Sequence, residues 1–78
     1  MPCRVGITTR PAERRAEWER KVIGLRNWRI LGRYSTRQEA QAHEDRYARR
    51  TGCQAWPGGH DAPGIWYVYR FDYIRERS

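Results

Sequence analysis

Lysine is almost missing from this sequence: Lys21 stands alone, and the other 15 of the 16 basic residues are arginine. Long apolar runs are missing too. No stretch approaches the roughly 18 residues of a membrane span, so no membrane partner is expected. Met1 to Gly6 lacks the apolar run of a secretory leader, which makes the cytoplasm the expected compartment. Cysteine is scarce. Cys3 and Cys53 belong to no C-x-x-C pair, and without an export signal two reduced thiols are expected. His43 and His60 would complete a four-ligand set with them, but none of the usual zinc spacings is present. Pro57-Gly58-Gly59-His60 lacks the lysine and the helix start of a phosphate-binding loop, and no serine stands in a nucleophile elbow.

What is abundant is aromatic surface and positive charge. The 78 residues allow one domain, spanning the whole chain, with one modest core. A core this small needs large side chains, and four Trp, five Tyr and one Phe supply them. The net charge of +7 favours polyanions, nucleic acid above all, through phosphate pairing and counterion release. Arginine adds a planar fork that suits phosphate and guanine and stacks on bases.

Periodicity predicts an α+β domain in the order β-α-β-α-β, a three-stranded sheet with two helices. Cys3 to Thr8 alternates as a strand, with Cys3, Val5 and Ile7 on one face and Arg4, Gly6 and Thr8 on the other. Thr9 reads as a helix cap with Pro11 in the first turn. That helix should run from Arg10 to Val22 or Ile23, with Ala12, Ala16, Trp18, Val22 and Ile23 inward and Gly24 as its stop. Asn27 to Tyr34 alternates again, with Trp28, Ile30 and Tyr34 opposite Arg29, Leu31 and Arg33. Ser35 with Gln38 and Thr36 with Glu39 form overlapping capping boxes. The second helix should reach Arg50 or Thr51 and end at Gly52, with Ala40, His43, Tyr47 and Ala48 as its inner stripe. Cys53 to Gly64, rich in Gly and Pro, reads as a loop. Ile65 to Ile74 is the strongest strand signal, and Arg75 to Ser78 reads as a frayed tail.

Two helices on one sheet face would leave the other face open. That face would carry Arg4, Arg29 and Arg33, with either Arg70 and Trp66 or the tyrosine stripe of the last strand. Arginines and aromatics on an open sheet make a platform for phosphates and bases. Glu44 breaks the inner stripe of the second helix. A carboxylate there must find a cation, a donor or water, or be held for a metal or substrate.

One further pattern involves Arg14 and Arg15. The run Val5-Gly6-Ile7-Thr8-Thr9-Arg10-Pro11-Ala12-Glu13-Arg14-Arg15 resembles the second half of the GIY-YIG nuclease motif. There a Tyr-Ile-Gly strand leads into a helix bearing a catalytic arginine, and Arg14 follows Gly6 at the family's interval. Glu39-Ala40-Gln41-Ala42-His43-Glu44 resembles the family's metal-binding helix. The resemblance spans Val5 to Tyr47. It implies phosphodiester cleavage with magnesium, Glu44 holding the metal and Arg14 stabilising charge on phosphate. Hard cations prefer carboxylate oxygens and guanidinium forks onto phosphate. Arg4 replaces the triplet's tyrosine and Trp18 stands where many members have His. Gly64-Ile65-Trp66 looks like the Gly-Ile-Tyr strand moved to the C-terminus, with Tyr67 or Tyr69 replacing the lost tyrosine.

The expected function is therefore nucleic-acid binding, of DNA in preference to RNA, by a degenerate GIY-YIG-like module without turnover. Its expected contacts are Arg4, Arg15, Arg29, Arg33, Trp66 and Arg70. A magnesium-dependent nuclease using Arg14 and Glu44 is the first alternative. A small adaptor or inhibitor docking on an acidic protein is the second, with Trp56 and an exposed edge at Ile65 to Ile74 as anchors.

Overall fold

The computed structural model describes residues 2–56 and 63–77. In chain order the elements are β1 (Cys3–Thr8), α1 (Pro11–Lys21), β2 (Val22–Ile23), β3 (Arg26–Tyr34), α2 (Arg37–Thr51), β4 (Gln54–Trp56), β5 (Trp66–Asp72) and β6 (Arg75–Glu76). The architecture is mixed α+β, as the periodicity predicts. The sheet, however, has four strands in the order β3-β5-β1-β4, and a second sheet pairs β2 with β6. The three-stranded expectation missed β4, a three-residue strand at the head of the expected loop. It also missed β2, read as the end of the first helix, and β6, read as a frayed tail. Such short strands carry too few residues to show alternation; partners define them. Residues 57–62 of the expected loop lie outside the described residues.

Both helices begin where local chemistry allows. Pro11 opens α1, where its missing N–H is no loss. Arg10 rather than Thr9 occupies the cap position; the Thr8 hydroxyl accepts from Arg10 N at 3.0 Å. At the start of α2, Thr36 Oγ1 accepts from Glu39 N at 3.2 Å and donates to the Glu39 carboxylate at 2.9 Å. Gly52 closes the helix at φ 80°, a left-handed conformation in which glycine avoids Cβ strain.

The helices lie on opposite faces of the sheet, so the open face expected from two helices on one side does not exist. Alternation explains the division. Val5, Ile7, Trp66 and Val68 point to one face, where Ala40 of α2 packs on them. Tyr69, Phe71 and Tyr73 point to the other, where Trp18 of α1 packs. Trp28 stacks on Tyr69 at 4.7 Å and 13°, and Trp18 Nε1 donates to Tyr69 Oη at 2.9 Å. Gly6 lies opposite Tyr69 across β1 and β5; a Cβ on Gly6 would come within 2.6 Å of Tyr69 Cζ.

In β3 the expected alternation fails midway. Arg29 pairs with Arg70 and Ile30 with Tyr69, then the register shifts before Gly32 meets Val68. This bulge inverts the phase. Ile30 and Trp28 share the α1 face, whereas Leu31 and Tyr34 turn to the α2 side. Strand β5 lies between β3 and β1, so it is not the exposed edge an adaptor would use.

Cys3 and Cys53 form a disulfide, which corrects the expectation of two reduced thiols. Parallel pairing of β1 with β4 sets Arg4 beside Gln54, so the preceding residues, Cys3 and Cys53, are neighbours with Cα atoms 4.9 Å apart. No helix among the described residues is long and apolar enough to cross a membrane.

Candidate nucleic-acid interface

One stripe of α2 is basic and aromatic where the sequence suggests core. His43, Arg46, Tyr47 and Arg50 recur at the spacing that places side chains on one helix face. With Tyr34, at the end of β3, they line a cavity of about 390 Å³. Gly32 admits the imidazole against the strand: a Cβ there would stand 3.2 Å from His43 Nδ1. Tyr34 Oη lies 2.9 Å from His43 Nδ1, and the two rings meet edge-on at 89°. Arg70 Nη1 donates to Tyr47 Oη at 3.2 Å, and the Arg50 guanidinium lies 5.4 Å from the Tyr47 ring centre.

The electrostatics are one-sided. None of the five lining side chains is acidic. Among the described residues neither Arg46 nor Arg50 has an ion-pair partner. Arg29 faces Arg70 across the strands, and like charges so placed repel. Asp72 relieves the pair by binding Arg70, while Arg29 remains exposed and carries no ion pair with a described residue. Burial, and then the charges of Arg46 and Arg50, hold the His43 pKa below its usual 6.5. A neutral imidazole, two phenols and unpaired guanidinium groups can grip phosphate oxygens and offer aromatic edges to bases.

The residues expected from the sequence are dispersed. Arg29 and Arg70 lie on the α2 face beside the groove. Arg33 is exposed on the other face, opposite Tyr67. Arg15 pairs with Glu19 at 3.1 Å along the outside of α1. Arg4 is only 3 % exposed, closed in by Trp18, Trp56 and Tyr73, and pairs with Glu76. Trp66 is in the α2-side core. The two last are thus out of reach of a strand docking on an open sheet.

Arg14 and Glu44 form no ion pair with each other, although the charges of both act on the buried Tyr69 hydroxyl. Arg14 is on α1 and approaches Glu17 at 4.0 Å; Glu44 lies beneath α2, on the far side of the sheet. Glu44 is 1 % exposed. Gln41 Nε2 donates to its Oε1, and its Oε2 has no hydrogen-bond partner. Burial pushes its pKa up to about 7; the Gln41 hydrogen bond pulls downward, Asp45 upward, and Arg37 downward. Among the described residues no three His, Cys, Asp or Glu side chains gather as a metal set. A buried carboxylate whose pKa is raised to about 7, with no third ligand beside it and Asp45 among the described residues, is a poor fit for magnesium, which takes ionised oxygens in an octahedral shell.

Sequence reasoning placed His43 and Tyr47 in the inner stripe, where Tyr47 does pack against the α2-side core, and passed over Tyr34, Arg46 and Arg50 as groove residues. Two arginines on the same helical row as His43 and Tyr47 were the available signal, because a buried stripe does not carry them. In comparisons with known proteins, no family model, no curated protein and no solved structure matches this chain.

Proposed function

We propose that the domain binds nucleic acid along the groove between α2 and β3, without turning it over. Phosphates would lie on Arg46, Arg50 and Arg29, and bases would pack against Tyr34 and Tyr47. The observation that carries this reading is a groove lined by arginine, tyrosine and histidine with no carboxylate among its described lining residues. The net charge of +7 supports it by drawing polyanions from a distance. DNA is the proposed partner. The disulfide fits an oxidising compartment better than the reducing cytoplasm, so the cytoplasmic expectation is not carried into the proposal.

The test is fluorescence anisotropy with labelled single-stranded and duplex DNA over a salt series. Binding should weaken steeply with salt, and Arg46→Ala with Arg50→Ala should reduce the log–log slope by about 1.4 for a single strand. Binding that ignores salt, or a double variant that binds like the wild type, refutes the proposal.

A magnesium-dependent nuclease of rearranged GIY-YIG type is the second reading. The observation in its favour is the pairing of Gly6 with Tyr69, which lays Val5-Gly6-Ile7 beside the strand that follows Gly64-Ile65-Trp66. Arg14 and Glu44 stand on helices that pack on opposite faces of the sheet and form no ion pair, which favours binding without cleavage. Metal-dependent cleavage of plasmid DNA, lost in Arg14→Ala, would reverse that preference.

A further inference from the structure

A second basic pocket lies where α1 ends. Trp18, Arg20, Lys21, Trp56, Glu76 and Arg77 line a cavity of about 370 Å³. Arg4 stands behind it. Alternation along β1 turns Arg4 to the α1 face, and its guanidinium carbon lies 5.2 Å from the Trp18 ring centre and 5.0 Å from that of Trp56. Burying a guanidinium is costly unless its donors are used. Among the described residues Arg4 pairs only with the Glu76 carboxylate; its guanidinium otherwise lies against the Trp18, Trp56 and Tyr73 rings, and its buried Nε and Nη1 have no hydrogen-bond partner there. Glu76 itself is 58 % exposed at the side chain, on a strand of two residues. Pairing with Val22 and the bond from Arg77 N to Lys21 O at 2.9 Å hold it there. Lys21 Nζ lies 5.4 Å from the Trp18 ring centre.

Among the described residues the pocket collects Arg20, Lys21 and Arg77 in its lining and Arg4 behind it around one carboxylate, four positive charges against one negative. A single carboxylate leaves most of those donors unused. A phosphomonoester carries nearly two charges at neutral pH and three acceptor oxygens, which matches the set better. The cavity also has room beyond a phosphate, beside the half-buried Trp56.

We propose that this pocket is a phosphomonoester site for a nucleoside 5′-phosphate, in which Glu76 is the internal stand-in that the phosphate displaces from Arg4. The chemistry is the same whether the phosphate belongs to a mononucleotide or to the phosphorylated end of a strand. The proposal is independent of the α2 groove and stands if that groove binds nothing.

The test follows Trp fluorescence of the full chain, with its disulfide intact, during titration with a nucleoside 5′-monophosphate and with the corresponding nucleoside. The monophosphate should bind and the nucleoside should not. Glu76→Gln should bind it about threefold tighter or more, since the competing carboxylate is gone, and Arg20→Ala with Lys21→Ala about tenfold weaker. Arg20 and Lys21 are exposed, which makes that double variant safe for folding. Glu76→Gln takes the charged partner from buried Arg4 but keeps an acceptor oxygen for it, and thermal unfolding checks that the fold is retained. Oligonucleotides with a 5′-phosphate or a 5′-hydroxyl then separate the sources. About tenfold preference for the phosphorylated end points to a strand terminus, and no preference points to the mononucleotide. Equal response to nucleoside and monophosphate overturns the proposal. So does a Glu76→Gln variant that binds no more tightly, or loss of monophosphate binding in Arg46→Ala with Arg50→Ala, which would move the phosphate to the α2 groove.

Discussion

Replacing Glu44 by glutamine should make this domain more stable in neutral and alkaline solution while leaving it almost unchanged in acid. The carboxyl is 1 % exposed, holds one donor from Gln41, and has a second oxygen with no partner. Burial raises its pKa from 4.5 to about 7. A raised carboxyl pKa means that the folded state binds the proton more tightly than the unfolded chain. The stabilisation is complete below pH 4.5 and is lost as pH rises through the folded value of about 7. At ~1.4 kcal/mol per unit, the loss by pH 8.5 is about 3 kcal/mol. Glutamine has the same shape as the protonated acid and never ionises, so it avoids that loss. For a domain this small the difference is a shift in Tm on the order of 10 °C. Urea denaturation of both proteins at intervals from pH 4 to 8.5, followed by Trp fluorescence, gives the difference directly, because every other titrating group cancels. A difference that stays flat across this range would show that Glu44 does not carry a perturbed proton, and the account of its burial would fail.

Two other outcomes follow from the same structure. Cys3 and Cys53 close a separation of 50 residues, so reduction or Cys3→Ala with Cys53→Ala should lower stability by about 4 kcal/mol on the chain-entropy account; a denaturation midpoint indifferent to reductant would contradict the bond. The His43 ring, followed by NMR, should titrate below 6.5 and move up toward that value in Arg46→Ala with Arg50→Ala. A lowered histidine pKa means that the folded state resists protonation, so this group removes stability as pH falls below 6.5 and levels off beneath its folded value.

The parts of this fold that were legible in the sequence are those decided within a few residues. Thr36 and Glu39 cap α2 because a hydroxyl three residues from a carboxylate satisfies the first backbone donors wherever the helix lies. Gly52 ends it for an equally local reason. Alternation found β1 and β5, and the 3.6-residue spacing of α2 found one feature of lasting interest, the inward position of Glu44. Alternation also misled. It carried Tyr34 to the face of Trp28, because nothing in the spacing of β3 announces the extra residue between Ile30 and Gly32. The candidate site fared worse. Arg29 and Arg70, expected as contacts, lie beside the proposed groove, while Tyr47 packs against the α2-side core as its spacing suggests and also lines the groove, because the aromatic spacing of a core stripe and of a groove is the same.

The sequence by itself determined the charge, the aromatic supply, the two helices and the strong strands, since each depends on composition or on contacts between near neighbours. Tertiary structure alone decided that the helices cover opposite faces, that Cys3 meets Cys53, and that Arg4 is enclosed while Arg46 and Arg50 line a groove. Those outcomes depend on which strands lie side by side. Strand order is set by pairings between distant segments, and two of the pieces that complete it, β4 and β6, are too short to declare themselves before a partner is in place.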